Sequence, residues 1–231
     1  MPCNEIIDTT PDTEYRPSVD QDTTNHAIDQ LAREHDLTLE PDKVASLGRF
    51  ISLLSRWGST MRLTADPRPE ILISQHLPDA LVLARLLGPH LKRVGHAIDV
   101  GSGPGLPALP LAIVLPPTVH FNLVESRGRR CSFMRTAIYK LGLDHCQVIN
   151  KRLEDIDLPA QDLALSRATF PPPIWLQHAP DLVGNGGLVV LLCTALEQAP
   201  EQVIGLKRID LAQYKLANGP ARVTALYQCS T

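Results

Sequence analysis

The sequence lacks paired cysteines, an excess of basic residues and any long uninterrupted hydrophobic run. Its five cysteines are scattered, with no C-x-x-C pair, which argues against a disulfide framework and a zinc site and fits a reducing cytoplasm. The net charge of −3 gives no general signature of nucleic-acid binding, so a basic surface for such a partner would have to be local. Without a signal-peptide pattern or an apolar run of membrane-spanning length, we expect a cytoplasmic protein that does not contact a membrane. Aromatic residues are only 4 % of the chain, but hydrophobic residues are 44 %, which is ample for a core.

The first part of the chain divides into two regions by composition and periodicity. Residues 1–25 are rich in Thr, Asp, Asn and Pro without an apolar period, and we predict a flexible tail there. Residues 26–90 have a helical period and form a predicted helical extension, in which one helix begins near Pro41. A second helix is predicted over Glu70–Leu87, and Pro78 is expected to kink or restart it.

Residues 91–231 alternate between apolar runs and helical segments. This alternation predicts an α/β fold with right-handed βαβ units and a mainly parallel, doubly wound sheet. The turn signal Asn218-Gly219-Pro220 lies between the last two strands, so we expect an antiparallel C-terminal hairpin. The predicted strands are His96–Val100, His120–Glu125, Cys146–Asn150, Asp162–Arg167, Leu188–Thr194, Ile209–Leu216 and Arg222–Cys229. The predicted helices are Ala108–Leu115, Arg130–Leu141 and Pro173–Leu182.

A glycine turn follows the first predicted strand. Asp99 stands near the end of that strand, and Gly101, Gly103 and Gly105 alternate after it, before a helix. Glycines let a ligand approach the backbone, and the helix N-terminus presents amides and the positive end of its dipole. A dinucleotide site requires G-x-G-x-x-G, whose third glycine is replaced here by Leu106. The observed D-x-G-x-G-x-G is instead the form used by methyltransferases that bind S-adenosylmethionine (SAM). We therefore predict a SAM site, with a plain structural turn as the alternative.

The predicted site continues at the ends of the next strands, because ligands of open α/β sheets lie at the carboxyl ends of the strands. Glu125 ends the second strand, twenty residues beyond Gly105, where a carboxylate can accept hydrogen bonds from both ribose hydroxyls. The alternative is an acid that stabilises the following turn. Leu153 and Glu154 follow the third strand, where backbone amides and an apolar wall usually meet an adenine ring. Arg167 ends the fourth strand and points toward the mouth of the site, with a structural arginine as the alternative.

Seven motifs occur in an ordered combination that extends from about residue 30 to the C-terminus. They are Arg56-Trp57, Leu63-Thr64-Ala65, His76-x-x-Asp79, Asp99–Pro107, Leu123-Val124-Glu125-Ser126, Arg152-Leu153-Glu154 and Ser166-Arg167-Ala168. Together they resemble the glucose-inhibited division protein B family, whose members are the small-subunit ribosomal RNA guanine-N7 methyltransferases G. The resemblance implies a class I SAM-dependent methyltransferase, preceded by N-terminal helices, that methylates N7 of a guanine in the decoding-region loop of 16S rRNA.

The resemblance also implies roles for individual residues. It places cofactor contacts at Gly101, Leu106, Leu153 and Glu154, with Arg167 by the methionine end or the incoming base. Guanine N7 carries a lone pair and no proton, so no general base is required, and Arg167 is the expected catalytic-site side chain. We expect a monomer that acts without a metal on ribosomal RNA or the small ribosomal subunit. The complete predicted cofactor site is Asp99, Gly101, Gly103, Gly105, Leu106, Glu125, Leu153, Glu154 and Arg167.

The chain departs from the family pattern mainly on the RNA side. Gly58 and Arg62 stand where the family usually has Asn, Ala80 where it has Ser, and Ala108 where it has Gly. Cys193 replaces the lysine of a Leu-Lys-Gly motif, which removes a cation from that side. Two alternatives therefore stay open: a methyltransferase of the same fold with another RNA, protein or small-molecule substrate, and a non-catalytic SAM- or RNA-binding relative.

Local arginines are the candidate contacts for RNA phosphates, with a solvated basic face as the alternative. They are Arg49, Arg56, Arg62, Arg68, Arg127, Arg129, Arg130 and Arg135. His76 and Asp79 are three residues apart and so share a helix face. We expect them to bond to each other or to cap the glycine turn.

Overall fold

The computed structural model describes residues 20–217 and 219–230, and it begins with three long helices. They are α1 (Gln21–Glu34), α2 (Pro41–Met61) and α3 (Pro69–Leu87). The predicted tail is wrong for residues 21–25, which are helical, while residues 1–19 lie outside the described residues. The early start is explained by Asp20, whose carboxylate accepts a hydrogen bond from the backbone N–H two residues later and so caps the helix.

Helix α3 runs through Pro78 without a break, so the predicted restart at that residue is wrong. All residues from Leu77 to Ala84 are buried, and this packing outweighs the hydrogen bond that the proline ring removes. With the following 3-10 turn, the segment Pro69–Arg93 is long and apolar enough to cross a membrane. However, 67 % of its apolar window is buried inside the protein, and a core helix meets the same criteria.

An eight-stranded mixed sheet confirms the predicted α/β architecture. Its order is β3-β2-β1-β4-β5-β8-β7-β6, with the first five strands parallel and the last three joined by antiparallel pairs. Each predicted strand overlaps an observed one, whereas the two-residue strand β6 was not predicted. The strands are β1 (His96–Val100), β2 (His120–Val124), β3 (Cys146–Ile149), β4 (Gln161–Ser166), β5 (Val183–Cys193), β6 (Gln202–Val203), β7 (Leu206–Lys215) and β8 (Ala221–Cys229).

Helices cover both faces of the sheet, as a doubly wound fold requires. The three crossover helices are α4 (Ala108–Val114), α5 (Gly128–Leu141) and α6 (Pro172–His178). Ala97 and Leu163 face one hydrophobic cluster, which α1 to α5 share, whereas Ile98 and Ala164 face a second cluster with α6. The N-terminal helices thus pack into the same core as α4 and α5. The division into an extension (26–90) and a methyltransferase domain (91–231) stays a prediction.

The strand order brings the predicted site residues to one edge. β1 pairs with β2 on one side and with β4 on the other, so that Asp99 lies opposite both Leu123 and Leu165. The carboxyl ends of these three strands therefore meet at the point where the strand order reverses, which is where open α/β sheets bind ligands.

Candidate functional site

The three glycines of the turn share a left-handed backbone but have different surroundings. The φ angles of Gly101, Gly103 and Gly105 are +73°, +58° and +82°, a region that other residues rarely adopt. A Cβ atom on Gly105 would lie 2.4 Å from the Leu109 side chain, so this glycine lets α4 pack against the turn. A Cβ on Gly101 would lie 2.1 Å from Thr169 Oγ1, so the loop after β4 covers this glycine. A Cβ on Gly103 would be 3.9 Å from its nearest described neighbour, Arg130 Nη1, so this buried glycine is required by its backbone conformation and not by a close contact.

Asp99 and Leu106 are the buried residues at the two ends of the turn. The N–H groups of Gly105 and Leu106 donate to the Ser102 carbonyl at 2.8 and 3.2 Å, and the Leu106 side chain is buried. Asp99 is 0 % exposed, and its carboxylate has no hydrogen-bond partner among the residues that the structure describes. Burial raises the pKa of Asp99 to about 7, and the Arg167 charge acts against this rise. The acid is therefore held beneath the turn, near a positive charge.

Glu125 connects the end of β2 to the glycine turn. Its side chain is 5 % exposed. The carboxylate oxygen Oε2 accepts a hydrogen bond from the Gly103 N–H at 3.0 Å, and Oε1 accepts one from the Arg127 N–H at 2.8 Å. Arg130 Nη1 donates to Oε2 at 3.3 Å. A carboxylate offers about four acceptor positions, so one remains on Oε1. Glu125 thus stabilises the turn that follows it, which was the alternative to a cofactor contact. It also keeps one acceptor position for a ligand hydroxyl.

A cavity of about 500 Å³ lies beside this turn at the carboxyl edge of the sheet. Of the predicted cofactor residues, four line the cavity: Gly101, Glu125, Leu153 and Glu154. The other five do not line it: Asp99, Gly103, Gly105, Leu106 and Arg167. The first four of these belong to β1 or to the glycine turn itself, and Arg167 follows β4.

Thr169 and Phe170 form part of the cavity wall that the sequence reasoning missed. Thr169 Oγ1 donates to the Gly101 carbonyl at 3.3 Å. The Phe170 ring stacks on Trp175, with 6.0 Å between ring centroids and 15° between planes. Ala168, just before them, has φ +56°, which turns the chain back over the glycines. The three prolines at 171–173 were the available signal, because they stiffen the segment that carries this wall.

Arg167 lies between the sheet edge and helix α3. Its Nη1 donates to Asp79 Oδ2 at 2.9 Å and lies 3.3 Å from His76 Nδ1. Since an arginine only donates, His76 must accept through Nδ1 and carry its proton on Nε2. Burial, then the Arg167 charge, lowers the pKa of His76 to about 4, so the ring is neutral near neutral pH. His76 and Asp79 therefore bind Arg167 and make no hydrogen bond to each other or to the glycine turn in the described structure, contrary to expectation.

The lining of the cavity fits SAM. Glu125 keeps an acceptor for a ribose hydroxyl, Gly101 brings the backbone of the turn to the cavity, and Leu153 and Phe170 offer apolar surface to an adenine ring. Cationic side chains at the rim, Arg127 and Lys151 among them, suit an anionic group. Among residues 20–217 and 219–230, no three His, Cys, Asp or Glu side chains come together in a group that could hold a metal ion.

Solved structures share this fold. The O-methyltransferase TomG from Streptomyces achromogenes, solved in complex with SAM, superposes with a TM-score of 0.59 at 16 % identity, covering 92 % of this chain and 100 % of that one. A SAM-dependent O-methyltransferase from Thermotoga maritima gives a TM-score of 0.54 at 15 % identity, covering 77 % and 71 %. The fold is therefore that of the class I SAM-dependent methyltransferases.

Relatives that are similar in sequence identify the family, and not only the fold. The ribosomal RNA small subunit methyltransferase G of Pasteurella multocida is 38 % identical over 158 residues, which is 66 % of this chain and 72 % of that protein. The protein of the same name from Sodalis glossinidius is 37 % identical over 142 residues, or 61 % and 66 %. The match thus spans about two thirds of these relatives' length. The model of the GidB family, described as rRNA small subunit methyltransferase G, matches residues 43–213. The chain belongs to the GidB family.

Proposed function

We propose that this protein is a SAM-dependent methyltransferase that methylates N7 of a guanine in 16S ribosomal RNA. The observation that carries the proposal is the direct link between the glycine turn and Glu125, through the Gly103 N–H, beside a cavity of cofactor size. The family to which the chain belongs supplies the substrate class. We place the reaction in the cytoplasm, on ribosomal RNA or the small ribosomal subunit, and we propose a monomer that needs no metal.

Different residues of the cavity would bind different parts of the cofactor. Glu125 would accept from a ribose hydroxyl, the backbone at Gly101 would hold the methionine part, and Leu153 with Phe170 would pack against the adenine, since all four residues line the cavity. When bound, SAM supplies a methyl group activated by a sulfonium centre. Because N7 of guanine has a free lone pair and no proton, the protein has only to hold the base in line with that methyl group. Positioning of this kind is worth about 7–11 kcal/mol in effective-molarity terms.

Arg167 is the side chain that we assign to the incoming base or the methionine end. It follows β4 directly, its side chain is 20 % exposed, and its neighbour Ala168 lines the cavity. In the described residues both hydrogen bonds of its side chain are made through Nη1. Nε and Nη2 therefore remain free to donate to an acceptor on the base or on a carboxylate.

The RNA side is a local concentration of positive charge. Arg127, Arg130, Lys151 and Arg152 line the cavity together with Glu125 and Glu154, which leaves an excess of positive charge there in a chain whose net charge is −3. Phosphates bind such local cations with an affinity that falls steeply with salt. The rim therefore suits a polyanion that presents one unstacked base, which costs least when the base lies in a loop.

The test is methyl transfer from labelled SAM to naked 16S rRNA and to assembled small subunits, both isolated without 7-methylguanine at the target. We expect label in one guanine, which mapping identifies as 7-methylguanine. Calorimetry with SAM, run on the same protein, separates the alternatives. Binding without transfer to either RNA would favour a non-catalytic relative or another substrate, and absence of binding would overturn the cofactor assignment as well.

A further inference from the structure

A chain of polar contacts links Arg167, through Asp79 on helix α3, to strands β7 and β8. Tyr214 on β7 donates its hydroxyl to Asp79 Oδ1 on α3 at 2.6 Å, and Arg167 Nη1, after β4, donates to Asp79 Oδ2 at 2.9 Å. The Tyr214 hydroxyl also lies 3.2 Å from Thr224 Oγ1 on β8. Asp79 therefore has one partner on each carboxylate oxygen, and each partner comes from a different part of the fold.

Burial makes this arrangement rigid. Asp79 is 1 % exposed, and a buried carboxylate is tolerated only when it is paired and hydrogen-bonded. With both oxygens engaged, rotation of the Asp79 side chain would break two hydrogen bonds at once. The Tyr214 ring is held in turn by an edge contact with His35, at 5.7 Å between centroids. The position of the carboxylate is thus set by its surroundings and not by Arg167 alone.

Only one edge of the Arg167 guanidinium is engaged by this network. Asp79 and His76 both bind Nη1, whereas Nε and Nη2 make no hydrogen bond within the described residues. Since the guanidinium is planar and its donors form a fixed fork, holding Nη1 also sets the direction of the free donors. The contact with α3 therefore decides where the free edge of Arg167 points.

We propose that Asp79 is a positioning residue that aims the Arg167 guanidinium at the methyl-transfer site, and that Tyr214 holds Asp79 in place. The inference rests on the proposed function, in which Arg167 acts on the base or the cofactor. It makes helix α3, outside the cofactor-binding sheet, a part of the active site.

A double-mutant cycle tests the proposal, with turnover measured on the better RNA substrate and SAM affinity measured by calorimetry. Asp79→Asn keeps the size of the side chain but removes its charge, and Arg167→Gln removes the cation but keeps a donor. We expect Asp79→Asn to lower kcat by about 10- to 100-fold, as small misplacements at a reacting centre do, and to change the dissociation constant of SAM by no more than Arg167→Gln does. In the Arg167→Gln background, Asp79→Asn should cause no further loss of kcat. Additive losses, or full turnover by Asp79→Asn, would overturn the positioning role.

Tyr214→Phe keeps the proposal testable if Asp79→Asn does not fold, because it removes only a hydroxyl. Its matched control is Tyr227→Phe on β8, which removes the partly buried hydrogen bond from Tyr227 to the Pro200 carbonyl; Tyr227 belongs to the second hydrophobic cluster and makes no described hydrogen bond to this network. We expect a loss of kcat for Tyr214→Phe alone, and none in the Arg167→Gln background. Equal losses in the two tyrosine variants, or none in Tyr214→Phe, would refute the proposal. If the wild-type protein methylates neither RNA, the proposed function itself fails and the positioning role fails with it.

Discussion

Thr169 lies directly over Gly101: its hydroxyl donates to the Gly101 carbonyl at 3.3 Å, and a Cβ on Gly101 would lie 2.1 Å from Oγ1. The loop after β4 and the turn after β1 are thereby packed together at the mouth of the cavity. No Cβ can fit at Gly101 unless this loop moves away from the turn. The contact thus makes the glycine a requirement of the cavity wall as well as of the turn.

Gly101→Ala should therefore damage the cofactor site, with Gly142→Ala as its matched control. Both glycines have positive φ, +73° and +65°, and alanine in this region costs about 1–2 kcal/mol of stability. Only Gly101 has a close neighbour, since nothing described lies within 4 Å of a Cβ on Gly142. We expect Gly101→Ala to weaken SAM binding by about tenfold or more, or about 1.4 kcal/mol, and Gly142→Ala to leave it unchanged. Calorimetry would contradict this if the two variants bound SAM equally.

Glu125→Gln should weaken SAM binding by a different mechanism. The glutamine amide cannot accept from both the Gly103 and Arg127 N–H groups, and a buried donor left unpaired costs about 1–3 kcal/mol. We expect lower stability and a SAM affinity reduced by about tenfold or more. Glu70→Gln is the control, because that carboxylate is exposed on α3 and lies 3.9 Å from Arg68. SAM titrations that do not distinguish the two variants would exclude Glu125 from the cofactor site.

Asp99 should make the stability of the ligand-free protein depend on pH. Its pKa is raised to about 7 by burial, whereas a carboxyl in the unfolded chain has a pKa of about 3.9. As pH rises from about 4 to about 7, the unfolded chain loses this proton first, so the free energy of unfolding falls, by at most about 1.4 kcal/mol per pH unit. Above that range both states are ionised and the effect levels off. His76, with its pKa lowered to about 4, contributes the opposite slope over much of this range, but it does so in wild type and in Asp99→Asn alike. Urea unfolding of the two proteins should therefore show the wild type losing stability relative to Asp99→Asn as pH rises from about 4 to about 7, and parallel curves would contradict it.

Arg129 should contribute to RNA binding and not to SAM binding. It is exposed, next to the cavity on the loop-to-helix segment that follows β2, where a phosphate can reach it. Arg129→Ala should raise the KM for RNA and reduce the slope of log affinity against log salt by about 0.7–0.9, as one lost phosphate contact does. Arg93→Ala is the control, because this exposed arginine precedes β1 at the opposite edge of the sheet. An equal effect of both variants would indicate a general charge effect.

Much of the fold followed from local patterns. The strands and helices from His96 onward follow short periodicities of apolar residues, which depend on neighbours along the chain. Where the local signal was outweighed by packing, the prediction failed: α3 continues through Pro78 because its surroundings bury it on all sides. The start of α1 was missed because a single capping acid, Asp20, decides it.

For the site, the spacing of Asp99 and the three glycines, with Glu125 after the second strand, was enough to predict the cofactor class. These signals lie within one βαβ unit, so short-range reasoning reaches them. The tertiary structure alone decided that Asp99 is buried below the turn, that Thr169 covers Gly101, and that Arg167 is held by Asp79. Arg167 and Asp79 are 88 residues apart, and Asp79 and Tyr214 are 135 apart. Contacts of this kind depend on how the helices and strands pack together, and no periodicity along the chain encodes them.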